Sequence, residues 1–315
     1  MIGSGLPLVD LEPVLAEPDD GTARSIVTER LDAACRRTGF FVVTGHGLDH
    51  LLAAAFEQAR AFFALDQETK ELVPRANRFG FVPQRDLALD RTRLSGATEY
   101  LDVGLGDDLG LGSVDGERCW PPLPGFRAAI QDYQREAMEV AAVLLGSLAT
   151  ALDLEPDFFA TRMRHPPCKL RLLHYLPTPL EPGRVRPITN AAHTDYGAIT
   201  LLATGGAPGL ELRPRGGDWT PVEAPAGALI VNLGDLLAVW TNLRYTSTPH
   251  RVVSSPDSDR FSIPFFVNPD DETLVECLPT CVSDDNPCRQ RSLTAGDYLA
   301  GRIDGTIPEP YIDAR

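Results

Sequence analysis

Residues 192–206 read AHTDYGAITLLATGG, and this stretch decides the fold class. Its second half, Ala198 to Thr204, is a short apolar run that closes in glycine, the pattern of a buried strand ending in a turn. Similar runs lie on both sides of it. They are LRLLHYL from 170, GLELRP from 209, GALIVNLGD from 227, HRVVSS from 250 and RFSIPFFVN from 260. Short strands at near-regular spacing, separated by Pro/Gly turns, predict an antiparallel sandwich or barrel over the C-terminal half.

Upstream the pattern is different. Val27, Leu31, Ala34 and Cys35 fall on one helical face, Gly39 ends that helix, and FFVVTGHG from 40 reads as a short buried strand closing in a glycine turn. Further helices are expected from Leu51 to Phe63 and from Gln67 to Leu72. A long one is expected from Phe126 to Leu152, where Ile130, Tyr133, Ala137, Ala141, Leu144 and Leu148 form an apolar stripe. Residues 73–118 carry few periodic signals and read as an irregular segment; long loops of this kind are often functional. A final helix is expected at 291–303. The reading is a helical N-terminal half wrapped around a C-terminal β core.

Charge limits what the chain binds. The 44 acidic residues outnumber 29 Lys and Arg, for a net charge of −15. Such a surface repels phosphate backbones and anionic membrane, so nucleic acid and membrane are not expected partners. The most apolar stretch, Ala228 to Trp240, is broken by Asn232, Gly234 and Asp235, and is too short to span a bilayer. The N-terminus has no basic region followed by a long apolar one, so no signal peptide is expected. Cys277, Cys281 and Cys288 lack a nearby fourth ligand for zinc, and reduced thiols in a cytoplasmic protein are the expectation for all six cysteines.

Of the six histidines, His193 and His250 carry information. His193 and Asp195 stand two apart, so at a strand end both point to one side. His250 lies on a separate strand signal. Two imidazoles and one carboxylate leave three positions open on an octahedral ion, an arrangement suited to Fe(II) with a co-substrate and O2. An isolated H-x-D occurs often by chance, and a lone His250 reads equally as a structural histidine. Ten residues later Arg260 and Ser262 share a strand face with Pro264 and Phe266. A buried guanidinium beside a hydroxyl is a carboxylate clamp. Alone, Arg260 reads as a surface residue after the Asp257–Asp259 turn.

Taken together, His193-x-Asp195, His250 and Arg260-x-Ser262 resemble the motif set of the 2-oxoglutarate/Fe(II)-dependent dioxygenases, in the branch that includes isopenicillin N synthase and the plant flavonoid and gibberellin oxygenases. HTDYGAITLL, PGLEL, PVEAPAGALIVNLGDLL, WTN, STPHRVV and RFSIPFF occur in family order. LPLVDL, TGFFVVTGHGL and AFFALDQETK resemble the branch's N-terminal region, and RFGFVP and TEYLDVG resemble its bacterial members. The resemblance covers nearly the whole chain. It implies a mixed α+β fold with a double-stranded β-helix (jelly-roll) core, flanking N-terminal helices and a C-terminal helix. It also implies an N-terminal dioxygenase region at 1–120, a supporting helix and connection at 121–164, the jelly-roll core at 165–280 and a C-terminal segment at 281–315. By the same resemblance His193, Asp195 and His250 are the Fe(II) ligands, Arg260 and Ser262 hold the distal carboxylate of 2-oxoglutarate, and Tyr175 lies near that co-substrate. Leu173 stands where the family has an asparagine. The implied reaction couples decarboxylation of 2-oxoglutarate to succinate and CO2 with oxidation of a small molecule by O2, as hydroxylation, desaturation or cyclisation.

Two other readings share the fold: an Fe(II) oxidase of the isopenicillin N synthase or ethylene-forming type, since that branch also carries Arg-x-Ser, and a non-catalytic binding protein, which a missing ligand or clamp residue would favour. No such residue is missing. For the substrate pocket Phe266 is the first candidate and Phe265 and Tyr196 the second, with core packing the competing role for each. Arg78, Arg85, Arg91 and Arg93 read either as an anion-capturing cluster or as solvated loop residues paired with Asp86 and Asp90. His46 and His50 read as structural, Asp235 as a turn residue, and the glycines from Gly104 to Gly112 as a flexible loop. The sequence says nothing of oligomeric state.

Overall fold

The computed structural model of the chain describes residues 5–73, 75, 79–84, 98–105, 120–177, 186–253, 258–288 and 291–307. The N-terminal third contains β1 (Leu8–Asp10), α1 (Glu12–Ala16), α2 (Gly21–Arg37), β2 (Phe40–Thr44), α3 (Asp49–Phe63), α4 (Gln67–Lys70), β3 (Gly80–Val82) and β4 (Thr98–Gly104). Asp20 caps α2 by accepting the Thr22 and Ala23 amides, which stabilises the helix start by about 1 kcal/mol. Then come α5 (Phe126–Ala151), β5 (Lys169–Tyr175), β6 (Ile188–His193), β7 (Ile199–Ala203), β8 (Leu210–Leu212), β9 (Thr220–Pro221) and β10 (Leu229–Leu233). The chain continues through α6 (Asp235–Trp240), β11 (His250–Val253), β12 (Arg260–Val267), β13 (Leu274–Val275), β14 (Leu293–Thr294) and α7 (Ala295–Asp304).

An eight-stranded sheet, ordered β1-β2-β10-β7-β12-β5-β4-β3, faces a four-stranded sheet, ordered β6-β11-β8-β9. Because side chains alternate along a strand, the large sheet contributes to two cores. Val42, Tyr100, Leu173, Tyr175 and Ile230 point inward and meet Leu210, Leu212 and Val252 of the small sheet. Leu170, Leu172, Leu201, Ile263 and Phe265 point outward and are covered by helix residues such as Leu31, Phe62 and Leu144. This is the expected jelly roll with flanking helices. The site is built on the inward set.

Three departures from the sequence reading have physical causes. Besides the expected strand β2, the N-terminal region supplies β1, β3 and β4, so that half of the large sheet comes from it. β1 and β3 have three residues each, too few to show a period, and β4 is buried on both faces and so lacks alternation. Asp235 is no turn residue; it begins the buried helix α6. The reduced-thiol expectation fails for two cysteines. The chain after Cys277 doubles back through a Ser283–Asn286 bridge, bringing Cys288 to a Cα separation of 5.8 Å, and the two form a disulfide. Cys35, Cys168 and Cys281 are buried free thiols. Finally, Cys119, the Arg78–Arg93 cluster with Asp86 and Asp90, and Gly106 to Gly112 lie outside the described residues. Among the described residues no helix is long and apolar enough to cross a membrane.

Candidate metal centre and co-substrate pocket

His193 is the last residue of β6 and His250 the first of β11, and the antiparallel register pairs them directly. Asp195 follows two residues after His193, where the strand opens into a loop. Its Oδ1 lies 3.9 Å from His193 Nε2 and 3.8 Å from His250 Nε2. Three ligand atoms, one from each residue, lie within 4.8 Å of one another. Each imidazole is oriented from behind. His193 Nδ1 lies 2.8 Å from the Ala191 carbonyl and His250 Nδ1 lies 3.2 Å from the Thr248 carbonyl. A carbonyl only accepts, so each Nδ1 carries the proton and each Nε2 presents a lone pair to the shared space. The Phe40 ring meets His250 edge-on, 5.4 Å between centroids.

Asp195 is oriented in the same way. Its Oδ2 accepts hydrogen bonds from Thr200 Oγ1 at 2.6 Å and Asn232 Nδ2 at 2.7 Å, leaving Oδ1 for the imidazole side. Burial raises the Asp195 pKa, but the facing His250 and His193, when protonated, together with these two donors outweigh it, and in the metal-free site the group is held below the usual carboxylate range. Two neutral imidazole nitrogens and one ionised oxygen on a single face are the donor set that suits Fe(II) with open coordination positions. Asn232 and Thr200 were not singled out in the sequence. Thr200 had a local signal, five residues after Asp195 on the next strand segment, whereas Asn232 reaches it from a distant strand and had none. The expected effect of Asn232→Ala is a 10–100-fold loss in iron affinity, of the order seen when a ligand's supporting hydrogen bond is removed, checked by anaerobic Fe(II) titration.

A second buried group braces the loop. Asp235 accepts from Thr194 Oγ1 and Tyr298 OH, both at 3.1 Å, and lies 3.5 Å from Arg302 Nη2, while its amide donates to the Asp195 carbonyl at 2.8 Å. Burial pushes its carboxyl up to about 6, with Arg302 opposing. Gly234, just before it, is required by close approach. A Cβ there would stand 2.1 Å from the Gly197 carbonyl oxygen.

At the opposite end of the chamber Arg260 opens β12, paired with Tyr175 of β5. It is 2% exposed. Nε donates to the Pro208 carbonyl at 2.9 Å, Nη1 approaches Ser262 Oγ at 3.4 Å, and the guanidinium lies 4.6 Å over the Tyr175 ring. Among the described residues no carboxylate pairs with it. An unpaired buried charge costs several kcal/mol, a cost that an anionic ligand would offset.

These features coincide with known proteins. A profile for the 2OG-Fe(II) oxygenase superfamily matches residues 161–269, and one for the non-haem dioxygenase in morphine synthesis N-terminal region matches 6–103. The 2-oxoglutarate-dependent dioxygenase citB of Monascus ruber is 34% identical over 83% of this chain and 84% of its own length. The chain belongs to the 2OG-Fe(II) oxygenase superfamily. Among solved structures, a putative 2OG-Fe(II) oxygenase family protein from Caulobacter crescentus is 30% identical with a TM-score of 0.81, covering 96% of this chain and 99% of that one. The dioxygenase for auxin oxidation from rice is 27% identical with a TM-score of 0.78, covering 96% of each chain. This oxygenase is a 2-oxoglutarate-dependent dioxygenase, and its cofactors are Fe(II) and 2-oxoglutarate.

The aromatic candidates separate by face. Phe266 is half-buried on the inward face, directly across from Thr200 on one side and Lys169 on the other. Phe265 is a correction. It is wholly buried in the outward, helix-covered core, because adjacent strand residues point to opposite faces. Tyr196 packs against that same core and carries the Arg302 guanidinium 4.8 Å over its ring, which places it beside α7. His46 is structural as read, with Nδ1 accepting the Leu48 amide and Nε2 donating to the Gly227 carbonyl at 2.8 Å.

Behind the Arg260 pocket, on the outward face, His174 bridges Glu99 and Asp259, each at 2.9 Å, and stacks on Phe261. Burial lowers its pKa, but the two carboxylates outweigh burial and hold it above the ordinary 6.5. A raised folded pKa gives stability that is complete below 6.5 and is lost as pH climbs through the folded value. The Tm difference between the protein and His174→Gln is therefore expected to be largest at acidic pH and to shrink as pH rises past neutrality. Thermal unfolding across a pH series checks this; a constant difference would refute it.

Proposed function

We propose that His193, Asp195 and His250 hold the Fe(II), and that Arg260, with Ser262 and Tyr175, receives the distal carboxylate of 2-oxoglutarate. On this reading the enzyme oxidises a small organic molecule, by hydroxylation, desaturation or cyclisation, with release of succinate and CO2. The supporting observation is the buried Arg260, without a carboxylate partner among the described residues, in the same chamber as the two-histidine, one-carboxylate cluster. A non-catalytic scaffold gains nothing from such a charge.

Fe(II), when bound, supplies the redox chemistry that activates O2. The protein's part is placement. The Ala191 and Thr248 carbonyls keep both Nε2 lone pairs aimed inward, and Thr200 and Asn232 keep Asp195 ionised and turned. Arg260 fixes the far end of the co-substrate with a fork held by Pro208. Leu173, Tyr100 and Val82 form an apolar wall that excludes water around it.

The test is anaerobic addition of 2-oxoglutarate to the Fe(II)-loaded protein, followed by visible charge-transfer absorption. A saturable band is expected. Iron binding with no band would move the assignment to an oxidase that does not use 2-oxoglutarate.

A further inference from the structure

Among the described residues, one positive charge on the inward face of the large sheet has only a shared partner. Lys169 starts β5 on the same inward face as Tyr175, six residues away, which puts it about 20 Å along the strand from the Arg260 pocket. That is too far for it to serve the co-substrate carboxylate. It lies instead in the cross-strand row that leads to Thr200. Across the sheet the register runs from Asn232 to Thr200, to Phe266, to Lys169. Thr200 holds Asp195, and Lys169 is two strands on, about 10 Å at the usual strand spacing.

Two cations meet one carboxylate there. Asp102, from β4, is fully buried and is gripped by Arg171 through bonds of 2.6 and 2.8 Å. Lys169 Nζ reaches the same Asp102 Oδ2 at 3.1 Å, as a second cation on an oxygen already in use. Burial lowers the Lys169 pKa, Asp102 opposes that by charge and hydrogen bond, and the charges of Arg171 and Arg75 add to the lowering. The ammonium has three donors, and its side chain remains 25% exposed, so it can take another acceptor from the chamber side.

Aromatic rings lie near this charged group. Lys169 Nζ lies 5.6 Å from the Phe266 ring centre. Its neighbour on the other strand is Gly104, and the space a side chain would fill there holds the Phe79 ring, 3.2 Å from the Cβ position. A cation beside the Phe266 ring, on the inward face that also carries Thr200, matches an apolar molecule that ends in an anion.

We propose that the substrate of this oxygenase is a small organic acid, whose carboxylate pairs with Lys169 beside Arg171 while its apolar body lies along Phe266 and Phe79. Asp102 positions the two cations. The inference rests on the oxygenase reading above and adds the substrate's chemical class to it.

The test uses matched pairs, arylacetic and arylpropionic acids against their primary amides, which have the same shape without the charge. Each is titrated anaerobically into the Fe(II) protein saturated with 2-oxoglutarate, reading the perturbation of the charge-transfer band, and then assayed for added succinate release in air. Acids are expected to perturb the band and stimulate turnover with at least about tenfold lower half-saturation than their amides, the scale of a lost hydrogen bond to a charged group. Lys169→Met is expected to erase that preference and Lys169→Arg to retain it, with the unperturbed band verifying that each variant is folded and loaded. Amides equal to acids, acids with no effect, acids that displace 2-oxoglutarate, or an unchanged preference in Lys169→Met would each overturn the proposal. Absence of the band in the unsubstituted protein would instead overturn the oxygenase reading.

Discussion

Asp195→Ala is expected to abolish iron binding and with it turnover. Asp195 is the anionic donor of the cluster, and the two imidazoles that remain are neutral and hold a divalent ion weakly. The loss goes beyond one ligand, because Thr200 Oγ1 and Asn232 Nδ2 are then left pointing at an empty buried space. Succinate release should fall on the order of 10³-fold or more, the scale of several kcal/mol of metal-derived charge stabilisation. Asp195→Asn separates charge from shape. It preserves the volume, yet its amide would present either a second donor to Thr200 and Asn232 or a neutral oxygen to the metal. His193→Ala should behave as Asp195→Ala does. Iron content after anaerobic loading, measured together with succinate release, decides the matter; near-normal turnover in both Ala variants would remove the metal assignment.

Arg260→Met is expected to raise the 2-oxoglutarate KM on the order of 10²–10³-fold, with iron affinity unchanged. Breaking a buried carboxylate–guanidinium pair costs about 3–5 kcal/mol, which is that factor. Arg260→Lys should recover only part of the loss, because an ammonium lacks the planar fork. A stability measurement gives an independent sign. In the protein without co-substrate Arg260 is buried and has no carboxylate partner among the described residues, so Met is expected to leave the Tm equal or higher. The rise in Tm that 2-oxoglutarate produces in the parent protein should disappear, since a ligand stabilises only what it binds. A variant that keeps the parent KM and the parent Tm shift would show that Arg260 does not receive the co-substrate.

Much of this site was legible because its information is local. H-x-D at a strand end, a histidine opening another strand and Arg-x-Ser on one face are statements about spacing, and strand alternation turns spacing into direction. The same alternation put Phe266 on the Arg260 face. It also separates Phe265 from Phe266, and the secondary choice of Phe265 ignored that parity. The strands of β5, β7, β10 and β12 were visible for the same reason, each being an apolar run bounded by turns.

What the sequence determined by itself was the chemistry available: two imidazoles, one carboxylate, one guanidinium with a hydroxyl, and the strands that carry them. Which distant groups meet was decided by the tertiary structure alone. Asn232 reaches Asp195 across 37 residues and Arg302 reaches Thr194 across 108, and neither contact has a local pattern. Lys169 and Arg171 share Asp102 only because β4 pairs with β5, from a segment whose burial on both faces hid it as a strand. The closure of Cys277 on Cys288 and the recruitment of β1 to β4 into the large sheet have the same cause. Strand pairing and register are set by which faces can be buried together, and that is a property of the assembled layers and not of any one segment.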